Sequence, residues 1–571
     1  MIKLNNNKDL ADWLGIKYKY LTYILYKKRP EFSYNSFEIP KKNGGIRKIY
    51  APDDDLKEIQ LRILNNLNLE KEIIDNNRLE STKSSKRISY GFEKDFGIYD
   101  NAKNHVNKLF VLNVDIEDFF ESFNFGRVRG YFIKNRNFLF HENVATSIAQ
   151  LTCYEGRLPQ GAPTSPIISN LIFAIVDNRI AKLTAGYKLE YSRYADDLTF
   201  STNDRNFQGK YEKFLSDLQA ILEHSGFQIN QRKTRFQERN RMQEVTGLTV
   251  NRKVNVPKKY YKETRAMANN LYRTGEFYIN EQSGSLNQLQ GKFLHILNVN
   301  KKTNLQSDIY GKKWLHKYND KEIVTNRERD YIKFLFYKLF FTRDRPLIIT
   351  EGKTDQRYII AALKKMCSDY PMLIDRDSKQ FKILFFKRTQ HIEKYLNIPM
   401  DGAGAIRNII NFYYGLKGFP NLTEQFNLIN ANPVILLVDN ETKADYPLKH
   451  IIDSLSKEQD IVVDLNTKYF THLTKNLYLV TVPKTNSNNF EIEGLFRGEL
   501  LTKEINGRAF FSSSKDWLSK NDFSNYVLKN YQNIDFGNFV ALLDIFEKII
   551  KEYPTKLTNL EPPINKHKKL Q

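Results

Sequence analysis

The pattern of apolar and polar positions gives the first 250 residues a mixed character. Residues 109–115 (LFVLNVD) predict a buried strand that ends on Asp115. Residues 189–201 (LEYSRYADDLTFS) predict a hairpin whose turn carries Ala195-Asp196-Asp197. Helical stretches lie between such hairpins, and this mixture is typical of an α+β fold.

The pattern changes after an aromatic helical segment at 331–341, and we expect a boundary at 342–346. A helix-like stretch follows at 355–365, and another lies at 539–553. The strand candidates are 347–350, 381–386, 434–439 and 477–482. Apolar strands that alternate with helices predict an α/β fold, with a mostly parallel sheet covered on both faces.

Length and composition exclude several classes of protein. The chain has 571 residues, which predicts about three or four domains or lobes, and 41% apolar residues, which is enough for several cores. Two cysteines, Cys153 and Cys367, cannot make a disulfide framework or a typical zinc site, and they fit a cytoplasmic location. The start of the chain has no apolar signal region, and no apolar run approaches the ~20 residues of a spanning helix. A secreted or membrane protein is therefore not expected.

The net charge points to a polyanionic partner, most often a nucleic acid. Lys and Arg number 88 and Asp and Glu 66, so 88 − 66 gives +22 with His neutral. The cations cluster at 232–241 and 252–273, where Tyr260, Tyr261 and Tyr272 lie among them. Cations for phosphates and flat rings for bases predict a nucleic-acid surface, although any single lysine could equally lie on a solvated helix face.

The predicted strand and hairpin carry three carboxylates that are candidate metal ligands. Asp196 and Asp197 are adjacent and repel each other, and a cation could hold them beside Asp115. A polymerase needs such a set, because carboxylates on neighbouring strands bind two Mg²⁺ ions about 3.5–4 Å apart. One ion activates the primer 3′-hydroxyl and the other stabilises the leaving pyrophosphate. An Asp-Asp pair in an ordinary solvated turn is the alternative.

These residues resemble a known family. Tyr194-Ala195-Asp196-Asp197 resembles the YxDD box of reverse transcriptases, and Asp115 resembles their first palm aspartate. The resemblance implies a nucleotidyltransferase with fingers, palm and thumb, whose Mg²⁺ ligands are Asp115, Asp196 and Asp197. It also implies that Phe120 lies under the sugar of the incoming nucleotide and selects deoxynucleotides.

Further segments resemble the family's boxes in the family's order: 39–52, 158–170 and 226–236. In the first, Asn43-Gly44-Gly45 is a turn signal, and the resemblance implies that Arg47 and Lys48 meet the triphosphate. Gly161 would let the backbone approach the substrate closely. The implied substrate-binding residues are Arg47, Lys48, Phe120, Gln160, Gly161 and Lys233.

Two short elements narrow the resemblance to retron reverse transcriptases over about residues 1–340. Residues 101–105 (NAKNH) resemble an NAxxH element, and 245–247 (VTG) resemble a VTG triplet. The implied RNA-binding residues are Asn101, His105, Val245, Thr246, Gly247, Lys258 and Lys259. A group II intron or diversity-generating reverse transcriptase is an alternative, and so is a protein that only binds RNA.

The retron resemblance implies specific partners. They are deoxynucleoside triphosphates and a cognate structured non-coding RNA (msr-msd), which is copied from the 2′-hydroxyl of an internal guanosine into branched msDNA. A host ribonuclease H would trim the template. A homo-oligomer remains open, and no membrane partner is expected.

A second group of acids lies in the C-terminal half. Glu351 follows the predicted strand 347–350, Asp439 ends the predicted strand 434–439, and Glu441 lies two residues further on. Residues at the carboxyl ends of parallel strands line the functional crevice of an open sheet, and three acids there would repel without a cation. Acids that face solvent at helix N-termini, where the dipole favours them, are the alternative.

This pattern resembles the TOPRIM domain of topoisomerases, primases and some nucleases. Glu351-Gly352 matches its first motif, whereas Asp439-Asn440-Glu441 replaces the usual DxD with a longer third acid. The resemblance implies one or two Mg²⁺ ions held by Glu351, Asp439 and Glu441, and a metal-dependent nuclease. Residues 401–404 could supply a glycine turn. Additional candidates at the site are Glu491, Glu493, Lys353 and Lys484.

The resulting prediction is a retron reverse transcriptase with a C-terminal TOPRIM effector. We expect fingers and palm at 1–250, a thumb at 251–342, and a Rossmann-like TOPRIM domain with a helical extension at 345–571. The msDNA and RNA would restrain a toxic nuclease that acts in defence against phage. In the alternative, the TOPRIM-like half only binds nucleic acid.

Overall fold

The structure is a computed structural model that divides the chain into two compact units, Met1–Pro257 and Lys258–Gln571. The residues it describes are 3–40, 44–81, 87–304, 325–400, 402, 404–429, 431–440, 447–459, 469–484, 491–504, 510 and 518–558. Within these ranges, no helix combines the length and apolar character needed to cross a membrane.

The first unit combines helices with an antiparallel sheet. Its helices are α1 (Asn7–Leu14), α2 (Tyr18–Thr22), α3 (Asp54–Ser81), α4 (Ile98–Lys103), α5 (Phe125–Lys134), α6 (Glu142–Thr152), α7 (Ser165–Gly186) and α8 (Tyr211–His224). Its strands are β1 (Tyr34–Pro40), β2 (Ile46–Pro52), β3 (Phe110–Glu117), β4 (Glu190–Tyr194), β5 (Asp197–Thr202), β6 (Gln228–Glu238), β7 (Glu244–Val245) and β8 (Leu248–Thr249). A π-helix follows α2 (Tyr23–Lys28), and 3₁₀ turns occur at Pro30–Phe32 and Arg205–Lys210.

The central sheet of this unit has the order β4-β5-β3-β6, with every pair antiparallel. The apolar run of β3 is buried along most of its length, as a strand in the middle of a covered sheet should be. Apolar residues of α7 and α8 share one core with β3 and β5. The predicted strand at 109–115 and hairpin at 189–201 are therefore confirmed as β3 and β4–β5.

A separate two-stranded hairpin, β1–β2, occupies the predicted fingers segment. The strands pair from Tyr34 opposite Pro52 to Pro40 opposite Ile46. Gly44 and Gly45, in the connection, have φ values of +84° and +83°, which glycine adopts at little cost. Asn43 of the predicted turn lies outside the described residues.

The second unit contains α helices and a mostly parallel sheet. Its helices are α9 (Lys258–Thr274), α10 (Leu286–Thr303), α11 (Asn326–Phe340), α12 (Lys353–Lys365), α13 (Gln390–Leu396), α14 (Gly404–Tyr414), α15 (Pro447–Gln459), α16 (Gly498–Leu501), α17 (Lys520–Lys529) and α18 (Val540–Thr558). Its strands are β9 (Tyr278–Ile279), β10 (Gln282–Ser283), β11 (Leu347–Ile349), β12 (Leu384–Phe385), β13 (Val434–Val438), β14 (Phe470–Thr474) and β15 (Leu477–Thr481). Further 3₁₀ turns lie at Ile492–Leu495, Tyr531–Asn533 and Gly537–Phe539.

The sheet has the order β12-β11-β13-β15-β14, and only β14 runs antiparallel to its neighbour. Leu347 and Ile349 enter one apolar core and Ile348, between them, enters another, because alternate side chains of a strand point to opposite faces. The predicted mostly parallel sheet with two covered faces is confirmed.

The apolar cores do not follow the domain boundaries that the sequence predicts. Residues of α9, α10 and α11 belong to the same apolar core as one face of the sheet, so the helices predicted as a thumb share a compact unit with the α/β sheet. The division between the compact units falls after Pro257. The functional ranges 1–250, 251–342 and 345–571 remain predictions.

Candidate functional site

The first candidate site lies where β3, β4 and β5 meet. The register of the antiparallel pair β3–β5 places Asp115 directly opposite Asp197. Asp196 lies in the two-residue turn between β4 and β5, and its carbonyl accepts a hydrogen bond of 3.1 Å from the amide of Ile116. The turn is thereby fixed against β3, and the three predicted carboxylates come together in one place.

The electrostatics of this site oppose the charged form of its acids. Burial, together with the charges of Asp196 and Asp115, raises the pKa of Asp197 to about 7. Burial also raises the pKa of Asp196, with a smaller contribution from Asp115. The Lys233 ammonium donates to both oxygens of Asp115, at 3.0 and 3.1 Å. Burial disfavours the charged lysine, but these contacts outweigh it and raise its pKa.

The donor set suits a hard divalent cation, because it consists of carboxylates whose mutual repulsion such an ion would relieve. As the side chains are placed, no group of three or more His, Cys, Asp or Glu within the described ranges forms a ready-made metal shell. A cation that takes Asp115 as a ligand would compete with Lys233 for the same two oxygens.

A cavity of about 780 Å³ opens onto the carboxylates. Asp115 and Asp196 line it, together with five of the six predicted substrate-binding residues: Arg47, Lys48, Phe120, Gln160 and Lys233. The side-chain amide of Gln160 donates to Glu121 at 3.0 Å, which orients it. The structure therefore brings the predicted substrate residues and two of the acids to one concave surface.

Gly161 lies against strand β2 in this structure, and its expected approach to the substrate remains a prediction. Its φ is +120°, and a Cβ there would lie 2.6 Å from the side chain of Ile49 and 2.8 Å from the carbonyl of Tyr50. The amide of Tyr50 also donates to the carbonyl of Gln160 at 2.8 Å. The close approach that this glycine permits is thus to β2, and it joins the hairpin to the segment that carries Gln160.

Arg193, which the sequence reasoning did not single out, supports the turn from behind. Its fully buried guanidinium forms an ion pair of 2.8 Å with Asp177 on α7. It also donates to Asn170 and to the carbonyl of Ala195, both at 3.0 Å. Ala195 has a φ of +56°, so the hydrogen bond holds a backbone conformation that alanine rarely adopts. The available signal was a charged residue in the middle of the predicted hairpin, immediately before the YxDD box.

The predicted RNA-binding residues lie at three places: in the segment 101–105, at the β7–β8 turn and at the start of α9. Asn101 and His105 are fully buried; the His105 ring contacts the hydroxyls of Ser192 and Ser201, each at 2.7 Å. Neither side chain is accessible to RNA in this conformation, and any role in RNA binding would act through the β4–β5 hairpin that they support.

The VTG triplet forms the tight connection between β7 and β8. Val245 is buried. Thr246 and Gly247 have φ values of +47° and +81°, and a two-residue hairpin turn of type I′ requires positive φ at both central positions. Lys258 and Lys259 belong to the second unit, where both are exposed at the start of α9. RNA binding by these residues remains a prediction.

A second group of acids lies in the second unit, at the carboxyl ends of β11 and β13. The Glu351 carboxylate accepts a hydrogen bond of 3.1 Å from the amide of Asp439, so two of the predicted ligands are neighbours. Burial, and then the charges of Glu351, Asp355 and others, raise the pKa of Asp439 to about 9. Glu441 and residues 401 and 403 lie outside the described residues. The amide of Gly402 donates to the carbonyl of Glu351 at 3.2 Å.

Two further acids extend this group. The amide of Ile492 donates to Asp439 at 3.2 Å, which brings Glu491 and Glu493 close to it. Glu493 is 1% exposed, and its Oε2 is buried without a hydrogen-bond partner among the described residues. The Lys520 ammonium lies 3.0 Å from Glu491 and 3.4 Å from Glu493. Asp355 and Lys520 were missed in the sequence, Lys520 because it lies far along the chain, on α17. Lys353 begins α12, and Lys484 lies just beyond β15.

Comparison with known proteins assigns the class and then the family. The family described as reverse transcriptase (RNA-dependent DNA polymerase) matches residues 39–251, which include the first candidate site. The chain is 31% identical over 318 residues to the Retron Ec86 reverse transcriptase of Escherichia coli, covering 55% of this chain and 91% of that protein. It is 32% identical over 280 residues to the Retron Mx65 reverse transcriptase of Myxococcus xanthus, covering 46% and 61%. The chain belongs to the retron reverse transcriptase family.

The first unit therefore has a reverse-transcriptase fold, and the chain is an RNA-directed DNA polymerase. Enzymes of this class are generally dependent on Mg²⁺. Among solved structures, the chain is similar to telomerase from Candida albicans in complex with a fragment of telomeric RNA, with a TM-score of 0.31 and 13% identity over 53% of this chain and 60% of that one.

Proposed function

We propose that this reverse transcriptase copies a cognate structured non-coding RNA into branched msDNA, starting from the 2′-hydroxyl of an internal guanosine. The observation that carries the proposal is the register of Asp115 opposite Asp197, beside a cavity that Arg47, Lys48 and Lys233 also line. The retron relatives support the choice of template and product. Deoxynucleoside triphosphates are the substrates, and a host ribonuclease H removes the copied RNA.

The side chains around the cavity have three proposed roles: metal binding, triphosphate binding and selection of the sugar. When bound, Mg²⁺ activates the attacking hydroxyl and stabilises the pyrophosphate that leaves, and Asp115, Asp196 and Asp197 would hold it. Arg47 and Lys48, on β2, provide positive charge for the triphosphate. Phe120 lies under the sugar, where its ring would clash with a 2′-hydroxyl.

Replacement of Asp196 and Asp197 by Asn tests this proposal in cells. The double variant keeps the shape of the turn but removes two charges, so we expect branched DNA to disappear. Glu212→Gln, an exposed carboxylate on α8, is the matched control and should leave the amount of msDNA unchanged. Branched DNA that still accumulates in the double variant would exclude this polymerase site.

We also propose that the second unit contains a TOPRIM-type effector that cleaves phosphodiester bonds with a divalent cation. The observation in its favour is the group of acids around Asp439, whose pKa is raised to about 9 by burial and by Glu351 and Asp355. Such a group of buried acids, one of them with a strongly raised pKa, is typical of a functional site. Glu351 and Asp439, with Glu441 after them in the chain, would hold one or two Mg²⁺ ions.

In this proposal, bound msDNA and RNA restrain the effector, and a phage that disturbs the complex releases a toxic nuclease activity. Glu351→Ala should therefore leave msDNA intact and abolish defence, measured as phage plaque formation. Glu499→Ala, an exposed acid on α16, is the matched control. Unchanged defence in the Glu351 variant would exclude the nuclease role of this site and make this half of the chain a scaffold.

A further inference from the structure

Phe92 is an aromatic residue of the nucleotide cavity that no sequence motif assigned to a function. Its side chain is 46% exposed and lines the cavity together with Phe120. The two ring centroids lie 5.9 Å apart, with the rings inclined at 43°. This is the range in which aromatic pairs attract each other.

The backbone at Phe92 is held in an uncommon conformation. Its φ is +61°, a left-handed value that is rare for a bulky residue and persists only where the surroundings enforce it. Gly91, just before it, lies so close to the catalytic turn that a Cβ would be 2.3 Å from the amide nitrogen of Ala195. The side-chain amide of Asn170 also donates to the carbonyl of Gly91 at 2.8 Å. These contacts tie the position of the Phe92 ring to the turn that carries Asp196.

Phe120 consequently has an aromatic ring on two sides. Phe119, which is buried in the core, makes an edge contact with it at 5.5 Å, and Phe92 contacts it from the cavity. A ring that blocks a 2′-hydroxyl must resist displacement, because otherwise a ribonucleotide simply moves it aside. Phe119 supplies a fixed support within the core, and Phe92 limits the movement of Phe120 into the open cavity.

We propose that Phe92 is a specificity-determining residue: together with Phe120 it forms a two-ring wall that excludes ribonucleotides from the polymerase site. The inference rests on the proposed role of Phe120 under the sugar. Phe92 positions the Phe120 ring and narrows the space beside it, so its loss should mainly increase the use of ribonucleotides.

The test compares dCTP with CTP in single-nucleotide extension of a DNA primer on an RNA template by the full-length chain. Phe92→Leu should lower the ratio of kcat/KM for dCTP to that for CTP by about fivefold, the factor that one aromatic pair contributes. The change should come chiefly from a higher kcat/KM for CTP. Phe92→Met, a second variant with an unbranched side chain, should give the same result.

Phe96→Leu is the matched control. Phe96 is also a partly exposed phenylalanine of this segment, but it packs on Tyr90 and Arg87 and does not line the cavity. Its variant should keep the wild-type ratio.

Phe120→Val separates this inference from the proposed function on which it rests. It should lower the ratio further than Phe92→Leu, and the double variant should be no worse than Phe120→Val alone, since the two rings act together. The role of Phe92 is excluded if Phe120→Val lowers the ratio but both Phe92 variants leave it unchanged or reduce kcat/KM equally for both substrates. The proposed role of Phe120 as a sugar gate would then still hold. If Phe120→Val has no effect, the sugar gate itself is wrong, and the role of Phe92 falls with it.

Discussion

Asp197 illustrates how a single carboxyl group can weaken the fold that carries it. Its pKa of about 7 lies roughly three pKa units above the ordinary value of 3.8, because burial and the charges of Asp196 and Asp115 disfavour ionisation. The folded state therefore binds this proton more tightly than the unfolded state does. With respect to this group, the free energy of unfolding is highest below about pH 4, and it falls as the pH rises through 7.

We predict that Asp197→Asn stabilises the protein at pH 8 in the presence of EDTA. The amide cannot ionise, so the variant avoids a destabilisation on the order of 4 kcal/mol, about 1.4 kcal/mol for each pKa unit. The gain should shrink as the pH is lowered and vanish near pH 4. Thermal unfolding between pH 4 and 8 measures it, with Glu212→Gln as the exposed control. A variant that is less stable than the wild type at pH 8 would contradict the electrostatic account.

At this scale the sequence predicted the acids but not their supports. Asp115, Asp196 and Glu351 were visible because each stands at the end of an apolar run or in a turn. Arg193 was not, because its partners Asp177 and Asn170 are 16 and 23 residues away and meet it only when α7 packs on β4. The exposure of Phe92 to the cavity likewise depends on contacts with a distant turn.

The hairpin β4–β5 depends on the buried ion pair between Arg193 and Asp177. Asp177 is only 4% exposed, and it accepts three hydrogen bonds from this guanidinium and one from the hydroxyl of Tyr191. Removal of one member of a buried pair typically costs about 3–5 kcal/mol, because the other charge is left uncompensated.

We therefore predict that Arg193→Met destabilises the first unit by about 3–5 kcal/mol and increases hydrogen exchange in the amides of β5. Arg129→Met is the matched control, since Arg129 pairs at 3.0 Å with Glu142 at the surface, where a pair is worth at most about 1 kcal/mol. Equal exchange in the two variants would show that the buried pair does not support the turn.

The strands of the second unit show where pattern alone stops being sufficient. The central strands β11 and β13 follow their apolar runs closely, because both faces are buried. The predicted strand at 381–386 contracts to Leu384–Phe385, and β14 (FTHLT) was not predicted at all. Both are edge strands with partly exposed residues, so their pairing is set by the neighbouring strand rather than by their own hydrophobicity.

At the scale of the whole molecule, the net charge of +22 was the first indication of a nucleic-acid partner. Not all of the predicted cations are free to meet phosphate. Lys233 is bonded to Asp115, and Arg265 lies 3.1 Å from Asp330. Lys258, Lys259 and Lys262 are exposed at the start of α9, although Lys259 also lies 3.8 Å from the exposed Glu263. The sequence could count these charges, but the selection among them required the packing of their neighbours.

The last prediction concerns how strongly the binding of RNA depends on salt. Each lysine that contacts a phosphate releases a counterion, so the slope of log K against log salt concentration measures the number of contacts, with about 0.7–0.9 per phosphate. Replacement of Lys258, Lys259 and Lys262 by Gln should therefore reduce the slope by about 2–3 and weaken binding of the cognate RNA at low salt. Fluorescence anisotropy between 50 and 300 mM KCl measures both quantities.

The control replaces Lys8, Lys17 and Lys19, which are also exposed, in the first unit. It should retain the wild-type slope if α9 forms the predicted surface. Because both triple variants lose the same net charge, an equal loss of slope in the two would instead indicate a diffuse effect of the whole positive field.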